Sequence, residues 1–447
     1  MLRSFANVFR IPELARKVGV TILLLVIFRM GAVIPIPGAN VDALRAQMRG
    51  LQGTVLGSVM SFGNMLSGGA LEKASIFSLG IMPYISASII LQLLATVFPA
   101  LKRLQEEGEA GRKKINQYTR YLTVLICLFQ GILVLASYSK ANIFYLGGPI
   151  YLIFGAITLT AGSLFLMWLG AQIDEFGIGN GISLIIMVGI VSDIPYAMNF
   201  VFEKWSLHPT QGEYGPVHLV VLLTLFIAVV IAIVAVHQSQ RRIYFQQARH
   251  TRGRRVYGGQ KVYMPLRVTQ AGVIPIIFAQ ALIMIPAGIF AALKQTSESG
   301  GVTWKIYSFF ANIFDSQGLI GMLFYMGLII FFCYFWTAVM FNPVDIAKHQ
   351  KEMGNFIPGF RPGRRTSEHL EAILTRITFV GSLFLAFVAV TPIVLADMFQ
   401  VGQVVTRFYG GTGLLIAVSV ALDLAQKIES QLLLRHYEGF GAKGRAF

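Results

Sequence analysis

The chain has 447 residues, of which 55% are hydrophobic and 13% charged, and its formal net charge is +16. A soluble protein of this composition would have too little polar surface to cover its core, so the sequence excludes a set of soluble domains and predicts a membrane protein. Both cysteines, Cys127 and Cys333, fall inside apolar runs, which excludes a disulfide framework as the basis of the fold.

The sequence predicts ten transmembrane helices, because apolar runs of about 20 residues, long enough to cross a hydrocarbon layer of about 30 Å, recur along it. The first run is long enough to span and no small-residue cleavage site follows it, so it is expected to remain as a helix. Ten spans divide into five and five, at 1–200 and 201–447, and because each half has an odd number of spans, any structural repeat between the halves would be inverted. The predicted spans are 19–38, 76–98, 121–138, 150–172, 181–200, 217–236, 271–292, 318–341, 377–395 and 410–425.

The first two spans are separated by an unusual segment, SFGNMLSGGALEKASIF at 61–77. It is too polar and glycine-rich to cross a bilayer and too apolar for a free loop. Irregular backbone at membrane depth is tolerated only inside protein or beside a water-filled cavity, so a short re-entrant helix at the mouth of a pore is one interpretation. A helix that lies flat at the membrane interface is the other.

The charges indicate the orientation of the chain. Of the 37 lysines and arginines, 28 lie in 1–18, 99–120, 237–267, 342–376 and 426–447, which alternate with less basic loops. By the positive-inside rule these segments, and therefore both termini, are cytoplasmic.

Two of these segments are longer than topology requires. The arm at 237–267 has eight cations and no carboxylate, and the arm at 342–376 has FRPGRR at its middle. Retention of the loops in the cytoplasm explains the charge on its own. Basic arms with interleaved aromatic residues also suit a large anionic partner, such as ribosomal RNA or the acidic surface of a motor protein.

The spans lack the charges that a coupled carrier or an intramembrane enzyme needs. The single charged residue inside the first span is Arg29, which can snorkel to an interface or pair within the bundle. Uncharged polar residues do occur there, and in isolation they indicate hydrogen bonds between helices. The sequence has no GxSxG elbow, HExxH motif, phosphate-binding loop or metal-spaced cluster, so no catalytic, cofactor or metal site is predicted, and any ATP hydrolysis must occur on another polypeptide.

Nine dispersed stretches in one order carry a resemblance to a known family. They are FRMGAVIPIPG (28–38), NMLSGGALEKASIFSLGIMPYISASIILQLL (64–94), GRKKINQYTRY (111–121), FLMWLGAQIDEFGIGNGISLII (165–186), QRRIYFQQARHTRGRRVY (240–257), AGVIPIIFA (271–279), VMFNPVDIA (339–347), FIPGFRPG (356–363) and YGGTGLLI (409–416). From end to end the chain resembles the SecY family, the channel-forming subunits of the bacterial Sec protein translocon. The resemblance implies an all-α polytopic membrane protein in which ten transmembrane helices form an hourglass channel in the bacterial inner membrane, with a short re-entrant plug helix.

The resemblance also implies residue roles. An apolar pore ring corresponds to Ile81, Ile85, Ile186, Ile277 and Ile416, although any such isoleucine in isolation is more often core or lipid-facing. The plug corresponds to about 62–74 and includes Asn64, Ser67, Gly68 and Gly69. The lateral gate, between helices two and three on one side and seven and eight on the other, includes Ser86, Gln92, Gln130 and Gln270. Gln270 stands where relatives carry asparagine, so only a general polar role is implied for it.

The resemblance also implies a set of partners. SecE and SecG are complex subunits, and the SecA ATPase and the ribosome with its nascent chain dock on the basic arms. Accessory membrane insertion factors, preprotein signal sequences and anionic lipids complete the set. The residues expected to dock the motor or the ribosome are Arg241, Arg242, Arg254, Arg255, Arg361 and Arg364.

Three other classes of protein share the gross topology. A secondary transporter for a small solute would need a compact binding site with coupling ions, and an intramembrane enzyme would need a nucleophile and base, or paired aspartates, inside the spans. A structural scaffold for other membrane proteins would leave the segment at 61–77 unexplained.

Overall fold

A computed structural model describes residues 11–50, 55–140, 149–203, 205, 215–247, 250–252, 255–257, 259, 261–296, 301–314, 318–398 and 411–443. This part of the chain is mostly helical. Its first-half helices are α1 (Pro12–Gly31), α2 (Val41–Gly50), α3 (Val55–Leu66), α4 (Met82–Val97), α5 (Pro99–Glu106), α6 (Glu109–Lys140), α7 (Pro149–Phe176), α8 (Gly181–Val191) and α9 (Ile194–Glu203).

The second half adds seven helices and five short strands to the described part. In chain order they are α10 (Pro216–Gln238), β1 (Gln240–Gln247), β2 (His250–Arg252), β3 (Arg255–Tyr257), β4 (Lys261–Arg267), α11 (Ile274–Thr296), α12 (Val302–Ile313), α13 (Leu319–Met340), α14 (Pro343–Glu352), β5 (Asn355–Phe356), α15 (Arg364–Met398) and α16 (Gly411–Lys443).

Every predicted span coincides with a described helix or, in one case, with two. By length and composition, five described helical stretches can cross a membrane, and a sixth can if α4 and α5 count as one span. These two helices are bent by 106° at Phe98. The bend has a local cause, since Pro99 follows and the residue before a proline is driven out of the helical region, which Phe98 shows with φ −91° and ψ 115°.

The predicted boundaries of the first two spans are wrong. The helix α1 ends at Gly31 rather than at 38, because Pro35 and Pro37 prevent its continuation. The residues after α1 pair instead with the segment before α4: the Ile36 amide donates to the Ala74 carbonyl at 2.8 Å, and the Ile76 amide donates to the Ile34 carbonyl at 3.0 Å. The helix α4 accordingly starts at Met82 rather than at 76.

The fifth predicted span is interrupted. Its residues form α8 and α9, which are separated at Ser192 and Asp193. Asn180 caps the start of α8 by accepting a hydrogen bond from the Ser183 amide at 3.0 Å, and the Asp174 carboxylate accepts from the Gly181 amide at 2.7 Å. The tight turn between α7 and α8 is therefore fixed by side chains.

The re-entrant segment is helical earlier in the chain than predicted. Its helix, α3, ends at Leu66, and turns follow from there to Ile81. Gly68 and Gly69 have φ of +69° and +79°, a region that glycine occupies at little cost and other residues avoid. The left-handed turn ends the helix at this point.

The two basic arms contain strands that the sequence analysis did not predict. Strand β1 pairs antiparallel with β4 from Gln240 opposite Arg267 to Gln246 opposite Lys261, and on its other side it pairs with β5 of the second arm. We call this three-stranded sheet the arm sheet. It has its own apolar core, consisting of Ile243, Phe245, Leu266, Ala347, Ile357, Leu370 and Leu374. The two arms thus form one folded unit.

Two larger apolar cores lie in the helical part. One is built from the second-half helices α10, α11, α13, α15 and α16. The other combines buried residues of α1, α3, α7 and α8, and of the turns between α3 and α4, with Ile416 and Val420 of α16. The second core therefore joins the two halves, and it contains the residues of the candidate site. Cys127 and Cys333 are both buried and free.

Candidate functional site: an apolar constriction above a re-entrant segment

The structure brings the five predicted ring isoleucines into one apolar cluster. Ile81, Ile186 and Ile416 are buried, with at most 4% of each side chain exposed, and the partly buried Ile85 and Ile277 pack against the same cluster. Ile81 is the residue before α4, and the Ile85 amide donates to its carbonyl at 3.1 Å, so the two stand one helical turn apart as predicted. The five isoleucines come from the start of α4 and from α8, α11 and α16, so both halves of the chain contribute to the ring.

The re-entrant segment packs directly against the ring. Met65, Leu66 and Ala70 belong to the same buried cluster as the isoleucines. The helix α3 contacts α8 and α11, both of which carry ring residues. A Cβ atom placed on Gly413 at the start of α16 would lie 3.0 Å from the Met65 sulfur. The segment therefore packs against the ring isoleucines and against two of the helices that carry them.

Hydrogen bonds within the segment fix its shape. The Asn64 side chain accepts from the Glu72 amide at 3.0 Å and donates to the Glu72 carboxylate at 3.2 Å. The Ser67 hydroxyl donates to the Asn64 carbonyl and accepts from the Leu71 amide. The Gly69 amide donates to the Asn64 carbonyl at 2.8 Å. The four predicted plug residues thus lie together, and two of their side chains close the turn.

Three of the predicted lateral-gate residues lie on the expected helices, whereas Gln270 lies in the turn before α11, and the four do not form one network. Ser86 and Gln92 lie on α4 and Gln130 on α6, which packs against α4. The Gln92 amide donates to Ser88 at 3.3 Å, whereas the Gln270 side chain accepts from the Arg267 amide at 2.9 Å. In the described part of the chain, no hydrogen bond joins any two of the four.

An apolar contact links α4 to the second half of the chain. Ile89 of α4 packs against the second-half core, to which α11 and α13 contribute.

A polar position that sequence reasoning missed is Thr269, beside Gln270. Thr269 is 9% exposed and its hydroxyl has no hydrogen-bond partner among the described residues. In the sequence, the only feature that pointed to Thr269 was its position next to Gln270, which the family resemblance had assigned to the lateral gate.

A cavity of about 680 Å³ lies at the ends of α10, α11, α13 and α16, on the side of the arms. Its lining is mixed polar and apolar, and it includes Gln270, Thr269, Lys427 and the capped start of α8. A mixed lining can hold water by hydrogen bonds, which the aliphatic side chains of the five ring isoleucines cannot.

A polar cluster at the rim of this cavity joins three elements. His237, 6% exposed at the end of α10, contacts the Asp423 carboxylate on α16 at 3.2 Å. Arg267, the last residue of β4, contacts the same oxygen at 3.4 Å and donates to the Gln426 side chain at 2.6 Å. The base of the first arm is therefore fixed to α16.

The arm sheet presents cations and aromatic rings to solvent. Arg241, Arg242 and Tyr244 are exposed on β1, and the Arg242 guanidinium lies 5.1 Å from the centre of the Tyr263 ring. This is the geometry of a cation–π contact, which keeps the guanidinium oriented while leaving it accessible. Arg255 begins β3 but its side chain is outside the described part, and Arg254 lies outside the described residues altogether.

The FRPG turn of the second arm is held in a defined shape. Phe360 stacks on His369 of α15 with ring centres 4.0 Å apart, and the Thr366 hydroxyl donates to the Arg361 carbonyl at 3.0 Å. The Arg361 side chain is exposed. Arg364, 92% exposed, pairs with Glu368 at 2.9 Å. The turn thus presents the Arg361 guanidinium to solvent from a fixed backbone.

Together, the polytopic helical fold, the apolar ring between two halves and the segment that covers it define a membrane channel. The SecY family model matches residues 75–425. The protein translocase subunit SecY of Thermotoga maritima is 40% identical over 450 residues, covering 100% of this chain and 99% of that protein. The chain belongs to the SecY family.

Solved structures share the fold. One is a SecY protein whose plug domain is reported to stabilise the closed state of the translocation channel and to maintain a membrane seal. It matches with a TM-score of 0.58 and 18% identity, and the match covers 93% of this chain and 92% of that one. Sec61 in a canine ribosome–channel complex from the endoplasmic reticulum matches with a TM-score of 0.56 and 17% identity, with the same shares covered. The described helices therefore have the architecture of these channels.

Proposed function

We propose that this chain is the central protein-conducting channel subunit of a Sec translocase. It passes unfolded preproteins across the membrane and releases transmembrane segments laterally into the bilayer. One observation carries the proposal: five isoleucines from four helices in both halves meet in one cluster, and the re-entrant segment packs against it. An apolar constriction blocks ions by dewetting and can still deform around a polypeptide.

In this proposal residues 62–74 are the plug and the five isoleucines are the ring. The halves 1–200 and 201–447 separate along the gate between α4 and α6 on one side and α11 and α13 on the other. An apolar signal segment replaces the contact of Ile89 with its own surface, and its greater affinity for the open state shifts the population toward that state. The gate side chains Ser86, Gln92, Gln130 and Gln270 then contribute polar contacts along this path.

The chain is a passive channel in this proposal, and ATP hydrolysis occurs on the partner SecA. SecE and SecG complete the complex, and the ribosome with its nascent chain docks on the same arms as SecA. The fold likeness to a channel in a ribosome complex supports the ribosome as a partner. The exposed arginines of the arm sheet and of the FRPG turn supply charge for ribosomal RNA, acidic motor surfaces and anionic lipids. Accessory insertion factors meet segments that leave through the gate.

The protein lies in the bacterial inner membrane with both termini in the cytoplasm. The bias of lysine and arginine toward the arms and termini supports this orientation. The cavity beside the arm sheet is then the cytoplasmic entrance, and the plug lies on the external side of the ring.

The decisive experiment tests whether polypeptide passes the ring. In a chain with Cys127 and Cys333 replaced by serine, a single cysteine is placed at Ile85 and another in a preprotein jammed halfway through export. Crosslinking that requires SecA and ATP is expected. The matched control is a cysteine at Ile90 on the same helix, which is 40% exposed and faces away from the ring cluster. Equal crosslinking at both positions, or none at Ile85 and Ile277 while the precursor is exported, would contradict the channel and favour a solute transporter.

A second experiment tests the docking surface. Arg361→Glu is expected to abolish SecA-dependent export while the protein still inserts into the membrane, because the reversed charge repels the partner surface without disturbing any contact of the exposed guanidinium. Lys351→Glu makes the same charge change at an exposed position of the same arm, on α14, and is expected to export normally. Normal secretion by the Arg361 variant would refute its role.

A further inference from the structure

Arg29 is the single charged residue in the first predicted span, and the structure shows what it contacts. It lies near the end of α1 and is partly buried. Its Nη1 atom donates to the Gly68 carbonyl at 2.9 Å and to the Ser192 hydroxyl oxygen at 2.8 Å. A charge in a membrane span is costly and is retained where it binds something. Here the two acceptors belong to the plug and to the end of α8.

The backbone of the plug is shaped to reach this guanidinium. Gly68 has φ of +69°, and a Cβ atom there would lie 2.9 Å from the Gly189 Cα and 3.1 Å from the Arg29 nitrogen. Only glycine therefore allows the Gly68 carbonyl to lie so close to both α1 and α8. The contact between Gly68 and Gly189 is one of backbone against backbone, without a side chain to adjust.

Ser192 completes the arrangement on the side of α8. Its hydroxyl donates to the Gly189 carbonyl at 2.6 Å, so its oxygen accepts from Arg29 while its proton is already used. One nitrogen of Arg29 thus bridges the plug and the residue that ends α8. If the plug moves away, Arg29 keeps Ser192 but loses the Gly68 carbonyl, and a partly buried cation is left with one acceptor fewer.

We propose that Arg29 is a positioning residue that latches the plug in the closed position. This proposal rests on the proposed function, because it assumes that the structure with the plug against the ring is the closed state of a channel. Arg29 acts by tying the carbonyl of Gly68 to α1 and α8, so the plug leaves only when a charge-assisted hydrogen bond is broken. A preprotein that enters the channel takes the place of the plug, and the hydrogen bond between Arg29 and Gly68 is then broken.

The test measures the resting KCl conductance of the full chain, reconstituted with its partner subunits in a planar bilayer. Arg29→Met removes the donor and keeps an unbranched side chain, and it is expected to raise the resting conductance at least tenfold. Arg16→Met removes an exposed cation from the same helix and is expected to leave the conductance within twofold of wild type. Ser192→Ala should give a smaller rise than Arg29→Met, because the bond to Gly68 remains.

A disulfide that locks the plug separates a latch from a general loss of stability. The pair Met65→Cys and Gly413→Cys joins the plug to α16 where the Met65 side chain lies against position 413, and mass spectrometry verifies that the disulfide has formed before the conductance is measured. In the background that lacks Cys127 and Cys333, oxidation is expected to return the conductance of Arg29→Met to the wild-type level. A conductance that stays high with the disulfide formed would show that Arg29 stabilises the helix bundle, which would overturn the latch.

Two further outcomes are informative. Arg29→Lys keeps the charge but not the reach of the guanidinium, so it tests the latch even if Arg29→Met fails to fold; an intermediate conductance is expected, and a wild-type conductance would count against the latch. The experiments also distinguish failure of the latch proposal from failure of the proposed channel function. Crosslinking at Ile85 in the otherwise unmodified chain, together with an unchanged conductance in Arg29→Met, overturns the latch alone.

Discussion

Truncation of Phe245 tests whether the small apolar core beneath the arm sheet holds the two basic arms together. Phe245 lies on β1 and is 2% exposed, whereas its neighbour Tyr244 is 58% exposed. Replacing a buried phenylalanine by alanine costs about 3–5 kcal/mol in a core that cannot collapse around the gap. Among the described residues the core of the arm sheet has seven buried members, so Phe245→Ala removes a large part of its stabilisation.

The expected result is local opening of the arms with the helical bundle intact. A loss of about 3 kcal/mol raises the open population more than hundredfold, and proteolysis of an open state follows that population when opening is fast relative to cleavage. Limited digestion with trypsin therefore measures it through cleavage at Arg241, Arg242 and Lys261. We expect Phe245→Ala to be cut at least a hundredfold faster than wild type, and to lose stimulation of the SecA ATPase.

Tyr244→Ala is the matched control, because it removes an aromatic ring from the adjacent residue on the opposite, exposed face of the same strand. It should be cut at the wild-type rate. Should Phe245→Ala also be cut at the wild-type rate, the arms would not depend on this core, and the reasoning from burial to arm folding would be refuted.

Three other substitutions test the packing of the bundle and the surface. Gly181→Ala is expected to lower the thermal midpoint measured in detergent, because a Cβ there would clash with the Gly170 carbonyl oxygen. The control is Gly327→Ala, where a Cβ would meet nothing within 4 Å, and it should leave the thermal midpoint unchanged or slightly raised. Ile186→Ser places a hydroxyl in the apolar ring and should raise the resting ion conductance, and an unchanged conductance would contradict its place in the seal. Arg364→Gln breaks an exposed ion pair and should change the free energy of unfolding by less than about 1 kcal/mol, measured by denaturant titration.

The spans could be predicted from the sequence because membrane thickness fixes their length, and length is visible in a hydropathy pattern. Their ends were predicted less well, because hydropathy alone overlooked Pro35 and Pro37 at the end of α1, and because the residues beyond a helix are also fixed by contacts with distant residues. The helix α1 stops where Ile34 and Ile36 pair with the segment at 74–76. That pairing is a property of the folded chain and leaves no local signal beyond the two prolines.

The strands of the arms did have a signal, and charge obscured it. On β1, Ile243 and Phe245 alternate with exposed residues, which is the period of a half-buried strand. The high density of arginine around them favoured an interpretation as a docking loop. The ring isoleucines are the opposite case, since an isoleucine in an apolar helix has no distinguishing local property. Only the family resemblance selected them, and only the fold brings them together.

The arms and the ring are not independent parts of this molecule. The Arg267 amide binds the Gln270 side chain just before α11, and the Arg267 guanidinium binds Asp423 and Gln426 on α16. The helices α11 and α16 in turn carry Ile277 and Ile416 of the ring. A rigid helix transmits displacement of its end along its length, so a force that moves the arm sheet reaches two members of the constriction through a single residue at its base. If a partner docks on the arms as proposed, this geometry gives a route by which it could displace Ile277 and Ile416 without contacting them.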